Sequence, residues 1–127
     1  MADKVIGMFD DYQKKLNEIP SLIRQAALNI QDTAKKNAPR DEGRLRDSIT
    51  ATGSGLEAEV FTNVEYAAYI EFGTGTMVDV PSGMEDYAAQ FKGRGIKEVN
   101  ISPQPYLMPA FEHHSERLLR AIKKILQ

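Results

Sequence analysis

The sequence predicts an α+β fold: a small antiparallel sheet built on a hairpin, packed by two N-terminal helices and one C-terminal helix, with a long flexible loop before the last helix. Three observations carry this. Apolar residues recur at three- and four-residue steps near both ends of the chain. They alternate at two-residue steps over 56–62. A stretch rich in Gly, Pro and polar residues then runs from Gly73 to Pro105. These periods distinguish helix from half-buried strand, and mixing them in series favours α+β.

Taken in order, residues 3–19 read as an amphipathic helix with Val5, Phe9, Tyr12, Leu16 and Ile19 on one stripe. Pro20 lacks a backbone donor and restricts Ile19, so a break or sharp bend is expected there. Residues 21–37 form a second helix, with Ser21 as a candidate cap and Ile23, Ala26, Ala27, Ile30 and Ala34 as its apolar face. Its alanines allow another element to come close. Ala38-Pro39 ends it, and residues 40–44 read as a polar turn in which Gly43 can take a positive φ. Residues 45–52 read as a strand, Gly53-Ser54-Gly55 as a turn and 56–62 as its partner strand. In that second strand Leu56, Ala58, Val60 and Thr62 face one way, and Glu57, Glu59 and Phe61 the other.

Residues 65–72 fit a short helix or turn packed on the sheet. Inside the loop, a short helix is expected at 84–91 and a strand at 96–101. Residues 107–126 read as the last helix, with Phe111, Leu118, Leu119, Ile122, Ile125 and Leu126 on its face and Pro109 in its first turn. The organisation is one α+β domain over 1–127: a helical part at 3–37, hairpin and short element at 45–72, loop at 73–105, and helix at 107–126.

The 127 residues are 42% hydrophobic and 27% charged, with a formal net charge of −2. That charge argues against a dedicated nucleic-acid binder, which ordinarily carries a basic excess. The chain has no cysteine, which removes thiol catalysis and thiolate metal sites. No run approaches the length of a membrane span, and the N-terminus does not read as a signal peptide.

Catalytic signals are weak. His113 and His114 are adjacent, so on a helix they point in different directions and suit solvent better than a shared metal. Asp10-Asp11, Glu57 with Glu59, and Glu85-Asp86 come with no nucleophile or oxyanion-hole pattern. Gly73-Thr74-Gly75-Thr76 lacks the Lys-Ser/Thr ending of a phosphate loop, and Gly93-Arg94-Gly95 is only a short basic spot. Lys35, Lys36, Arg40, Arg44 and Arg46 form a basic cluster over 35–46, interleaved with Asp41, Glu42 and Asp47. An alternative reading is therefore a small nucleic-acid-binding module using that cluster. The favoured reading is a non-enzymatic protein, without cofactor or metal, that works by assembling with other proteins. The loop carries Met77, Val78, Val80, Met84, Tyr87 and Phe91, apolar side chains that suit assembly contacts.

Three blocks support that reading. The first is Ala34-Lys35-Lys36-Asn37-Ala38-Pro39-Arg40-Asp41-Glu42-Gly43-Arg44-Leu45-Arg46-Asp47-Ser48-Ile49. The second is Tyr66-Ala67-Ala68-Tyr69-Ile70-Glu71-Phe72-Gly73-Thr74. The third is Pro103-Gln104-Pro105-Tyr106-Leu107-Met108-Pro109-Ala110-Phe111. In this order they resemble the minor tail, or head–tail joining, family of tailed bacteriophages and prophages, over about residues 21–115. Glu42 stands where that family often has Thr, and Tyr106 where it often has Phe. The resemblance implies a tail-completion or neck protein whose copies form a ring, typically of six, at the tail end or head–tail junction. Its partners would be itself and other neck and tail-tube proteins, with DNA passing through the channel without sequence-specific binding. It would reside in the virion after assembly in the host cytoplasm.

The motif residues Pro39, Gly43, Leu45, Ser48, Tyr66, Glu71, Phe72, Gly73, Pro105 and Pro109 also have fold-determining roles. Pro39 and Gly43 end the helix and turn the chain, and Tyr66 and Phe72 pack the short element. Glu71 sits between Ile70 and Phe72, so partial burial is expected, and a buried charge needs partners. The candidates are Arg44, Arg46 or nearby backbone amides.

Overall fold

The computed structural model describes residues 2–74, 82–83 and 102–127. The expected loop helix at 84–91 and strand at 96–101 lie outside the described residues, as do Met77, Val78, Val80, Met84, Tyr87 and Phe91. The chain runs α1 (Ala2–Asn17), α2 (Ile19–Asn37), α3 (Gly43–Ser48), β1 (Thr50–Ser54), β2 (Glu57–Phe61), α4 (Ala67–Phe72) and α5 (Leu107–Leu126).

The break expected at Pro20 reduces to one residue. Glu18 lies between α1 and α2, and its φ of −77° and ψ of −24° are themselves helical. Pro20 falls in the first turn of α2, where a missing N–H removes no intrahelical bond. Ser21 is therefore inside the helix and not its cap, and its hydroxyl accepts from Arg24 Nη2 at 3.2 Å. At the other end, Ala38 is extended, as a residue before proline must be, and its N–H still reaches Ala34 O at 3.0 Å.

Residues 45–48, expected to begin a strand, belong to α3 instead. Leu45 and Ile49 are both buried, at 0% and 2% exposure. A spacing of four suits one face of a strand and one face of a helix alike, so periodicity does not separate the two here. Ser48 Oγ donates to Leu45 O at 2.7 Å within the last turn and also meets Thr62 Oγ1 across the chain reversal. Gly43, expected within the turn at 40–44, is the first residue of α3 and does not use the positive φ open to it.

The hairpin is correspondingly shorter, 50–61, with Ser54 opposite Glu57 and Thr50 opposite Phe61. Its turn is Gly55-Leu56, and Gly53 and Ser54 lie within β1. Gly55 has φ +61° and Leu56 does not share a positive φ, the sign pattern of a type II′ turn. Gly53 has a different role. A Cβ there would come within 3.3 Å of Ala58 Cβ and 3.5 Å of Arg24 Cγ, so its bareness lets α2 lie close over the sheet. Gln31 Oε1 on α2 accepts from Ala51 N at 2.7 Å and ties helix to strand.

α2 is the hub. It packs on both strands, on α3 and most extensively on α5, while α1 touches α2 and α5 only lightly. The core joins Ile30, Ala34 and Ala38 to Leu45, Ile49, Val64, Ala67, Tyr106 and Ala110. Ala34 and Ala110 are both fully buried, so small side chains sit where α2 and α5 meet. The face of α5 is in part the one expected, since Leu118, Ile122 and Ile125 are half-buried. Phe111, Leu119 and Leu126 are exposed, and Ala110 is the residue of α5 that is buried.

Leu45 is fully enclosed, so Leu45→Ala leaves a cavity in the core it shares with Ile30, Ala34, Val64 and Tyr106. The expected loss is about 2–5 kcal/mol, measured as a lower urea midpoint with an unchanged denaturant slope.

Candidate functional site

The polar feature buried deepest among the described residues is Glu71, at 6% exposure. It is carried on α4, whose Ala67, Ala68 and Phe72 are buried with it. Glu71 Oε2 accepts from Tyr106 N at 2.7 Å and Leu107 N at 3.1 Å, and Oε1 accepts from Met108 N at 2.8 Å. These are the first backbone donors of α5, which has no side-chain cap of its own. The next residue is Pro109, which has no N–H. Every donor that the first turn leaves without an intrahelical partner is thus accounted for. A carboxylate there also faces the positive end of the helix dipole. Of the partners the sequence allowed for Glu71, the structure selects the backbone amides.

The contacts around this cap hold the chain that leads into α5. Gln104 N donates to Ile70 O at 2.8 Å, and Asn37 Nδ2 donates to Tyr106 O at 3.3 Å. The Tyr106 hydroxyl donates to Ala67 O at 3.4 Å. Gly73 follows α4 with φ 79° and ψ −179°, a backbone conformation for which only glycine is suited. Leu45, Tyr66 and Tyr106 join one core, Phe72 is buried, and Pro39 and Ser48 are half-buried beside them. Pro105 and Pro109 face outward.

Arg44 turns away from Glu71. It makes a two-pronged ion pair with Glu65, Nη1 to Oε1 at 3.3 Å and Nη2 to Oε2 at 3.1 Å, and its guanidinium lies 5.7 Å from the Tyr66 ring centre. A hydrogen bond from the backbone N–H of Glu65, then Arg44, holds the Glu65 carboxyl below its usual range. Both side chains are well exposed, so the pair contributes little to stability. Of the basic cluster at 35–46, Arg44 is thereby already engaged.

The two histidines separate. His113 is exposed, but His114 is half-buried and its Nε2 lies 2.7 Å from Thr33 Oγ1 on α2, correcting the expectation that both face solvent. The rings meet edge to face at 4.8 Å. Burial pushes the His114 imidazole below its ordinary value, and the charges of His113 and Arg117 push the same way. Neither this link nor the Gln31 clamp has a sequence signal, because each joins positions far apart through one particular packing. Among the described residues no group of three His, Asp or Glu is placed to hold a metal ion. No helix among them is long and apolar enough to cross a membrane.

Compared with known families, residues 3–73 match the HK97-gp10-like family, described as "Bacteriophage HK97-gp10, putative tail-component". The chain belongs to this family. The matched span runs from α1 through α4 and ends at Gly73, so it contains Glu71, the first sequence block and the second up to Gly73, but not the third. No curated protein and no solved structure matched the chain. As an HK97-gp10-like protein it is a bacteriophage structural protein of the tail. The matched part includes the residue that caps α5, while the helix being capped lies beyond it.

Glu71→Ala is expected to strip three charge-assisted hydrogen bonds from a buried helix end and to cost about 3 kcal/mol or more. Glu71→Gln keeps one acceptor oxygen but presents an NH₂ to a donor, so its melting temperature should fall between those of Glu71→Ala and the parent. For His114, folding favours the neutral ring. As pH falls below about 6.5 the unfolded chain binds the proton first, so stability is intact above that pH and declines below it, down to the folded-state pKa. His114→Gln should flatten this part of the profile, read from thermal melting between pH 7.5 and 5.

Proposed function

We propose that this HK97-gp10-like chain is a tail-completion or neck component, acting without catalysis, whose copies form a ring at the tail end or head–tail junction. The observation that carries the proposal is the surface of α1. Val5, Ile6, Met8, Phe9 and Tyr12 are all about half or more exposed, Met8 and Phe9 by 72% and 71%. Leu16, near the base of the stripe, and Ile19 beyond it are half-buried. A 16-residue helix is marginal in water on its own, so most helices of this length rely on packing of an apolar face. Among the described residues α1 has little such packing, and assembly would provide it.

The ring reading also accords with where the chain places its polarity. Glu71, the deepest charge among the described residues, is fully used in capping α5. The other charged groups among the described residues are exposed or half-buried, where they suit contacts with other neck and tail-tube proteins. A ring of about six copies, the number typical of the resemblance, would leave a channel for DNA, and a mildly acidic protein would let DNA pass without gripping it.

Electron microscopy of tails produced with and without the protein tests this. Over-long tails, or tails without heads, are the expected result in its absence. Normal tails joined to heads would overturn the proposal.

A further inference from the structure

The exposed stripe of α1 and a cleft elsewhere on the molecule are complementary in polarity, and the ring reading requires two such different surfaces. A cleft of about 290 Å³ opens between β2, α4 and the start of α5. Val60, Phe61, Ala68 and Met108 are among its lining residues, and Phe61 is 44% exposed. We infer that the α1 stripe of one copy docks over this cleft on the next copy, with Phe9 directed at Phe61.

Charge selects this pairing. On the helical wheel of α1, Lys4 and Lys15 stand along one border of the stripe formed by Val5, Met8, Phe9 and Tyr12, with Asp11 just outside them, so that border keeps a net positive charge. Along β2, Glu57, Glu59 and Phe61 project from one face, because alternate residues of a strand share a face. Both glutamates are exposed. The basic border of α1 therefore meets an acidic strand face that ends in the aromatic of the cleft. The alternative, α1 against α1 of a second copy, is less favourable in the antiparallel arrangement. That arrangement brings matching borders together and sets Lys4 of one copy near Lys15 of the other.

Area and symmetry agree. Five large side chains, each about half or more in water, present on the order of 500 Å². That is near the top of the range for the largest apolar patch on a monomer. Covering it with an equal area buries roughly 1,000 Å² in all, about what a specific contact needs. A face paired with itself closes at two copies, whereas a helix on one side and a cleft on the other can propagate into a ring. This inference rests on the ring reading.

The test uses the absence of cysteine in the natural chain. Phage tails are assembled with the double variant Phe9→Cys/Phe61→Cys, or with either single variant, oxidised, and run without reductant. Both positions are exposed, and unchanged circular dichroism and melting of the purified variants confirm that the fold is kept. The expected result is a ladder of cross-linked species for the double variant and monomer for each single variant. Protein present in tails without a ladder, or dimers from Phe9→Cys alone, would overturn the inference while leaving the ring reading standing. Parent protein absent from tails would overturn the ring reading and the inference with it.

Discussion

Three backbone amides at the start of α5 converge on one buried carboxylate, and the placement of the last helix depends on that contact. Glu71 reaches Tyr106, Leu107 and Met108 from α4, some 35 residues earlier in the chain. A helix end buried without partners would leave several donors stripped of water, each at a cost comparable to a lost hydrogen bond. An ionised carboxylate in the same place without donors would be worse. Each group makes the other tolerable, so α4 and α5 are joined by mutual need. Pro109 removes a further donor, and the cap is complete with one side chain.

α2 takes up the structure on the other side of this junction. It supplies Ala34 where α5 approaches, Gln31 for the edge of β1, and Thr33 for His114. The helix thus reads two neighbours through three kinds of contact: close packing and a hydroxyl for α5, and an amide acceptor for β1. Gly53 has a matching role from the sheet side, since its missing Cβ allows the Arg24 stem to lie against the strand. A two-stranded hairpin alone is marginal in water, so its order here follows from lying on α2.

The family match and this packing divide the molecule in an informative way. The HK97-gp10-like span ends at Gly73, just after the carboxylate that organises α5. The matched part holds the buried framework of α2 to α4 and also α1, whose apolar side chains stay in water. A framework that is satisfied internally, with one helix that is not, is the arrangement expected of a subunit whose remaining contacts lie with other proteins. This joins the tail-component family to the proposed assembly surface without calling on any catalytic group.

Much of this was legible in the sequence because it is local. The α2 face Ala26, Ala27, Ile30 and Ala34 follows from helical spacing, the end at Ala38-Pro39 from proline chemistry, and the extent of α5 from its apolar period. The sequence blocks pointed to the phage tail family, and Glu71 between Ile70 and Phe72 called for a buried partner. Other features were undecidable at that level. Leu45 and Ile49 are four apart, which serves a strand or a helix equally, so α3 emerged only when both side chains were buried against α2. The turn moved to Gly55-Leu56 because strand register, set by pairing and packing, chooses among neighbouring glycines. On α5 the expected Leu118, Ile122 and Ile125 turn partly inward, but Ala110 and not Phe111 is buried, because a small side chain allows close approach to Ala34. The sequence by itself determined which segments are helical at the two ends, the need for a partner at Glu71, and the family. Tertiary structure alone decided which donors meet that carboxylate, because α4 and α5 are brought together only by the fold.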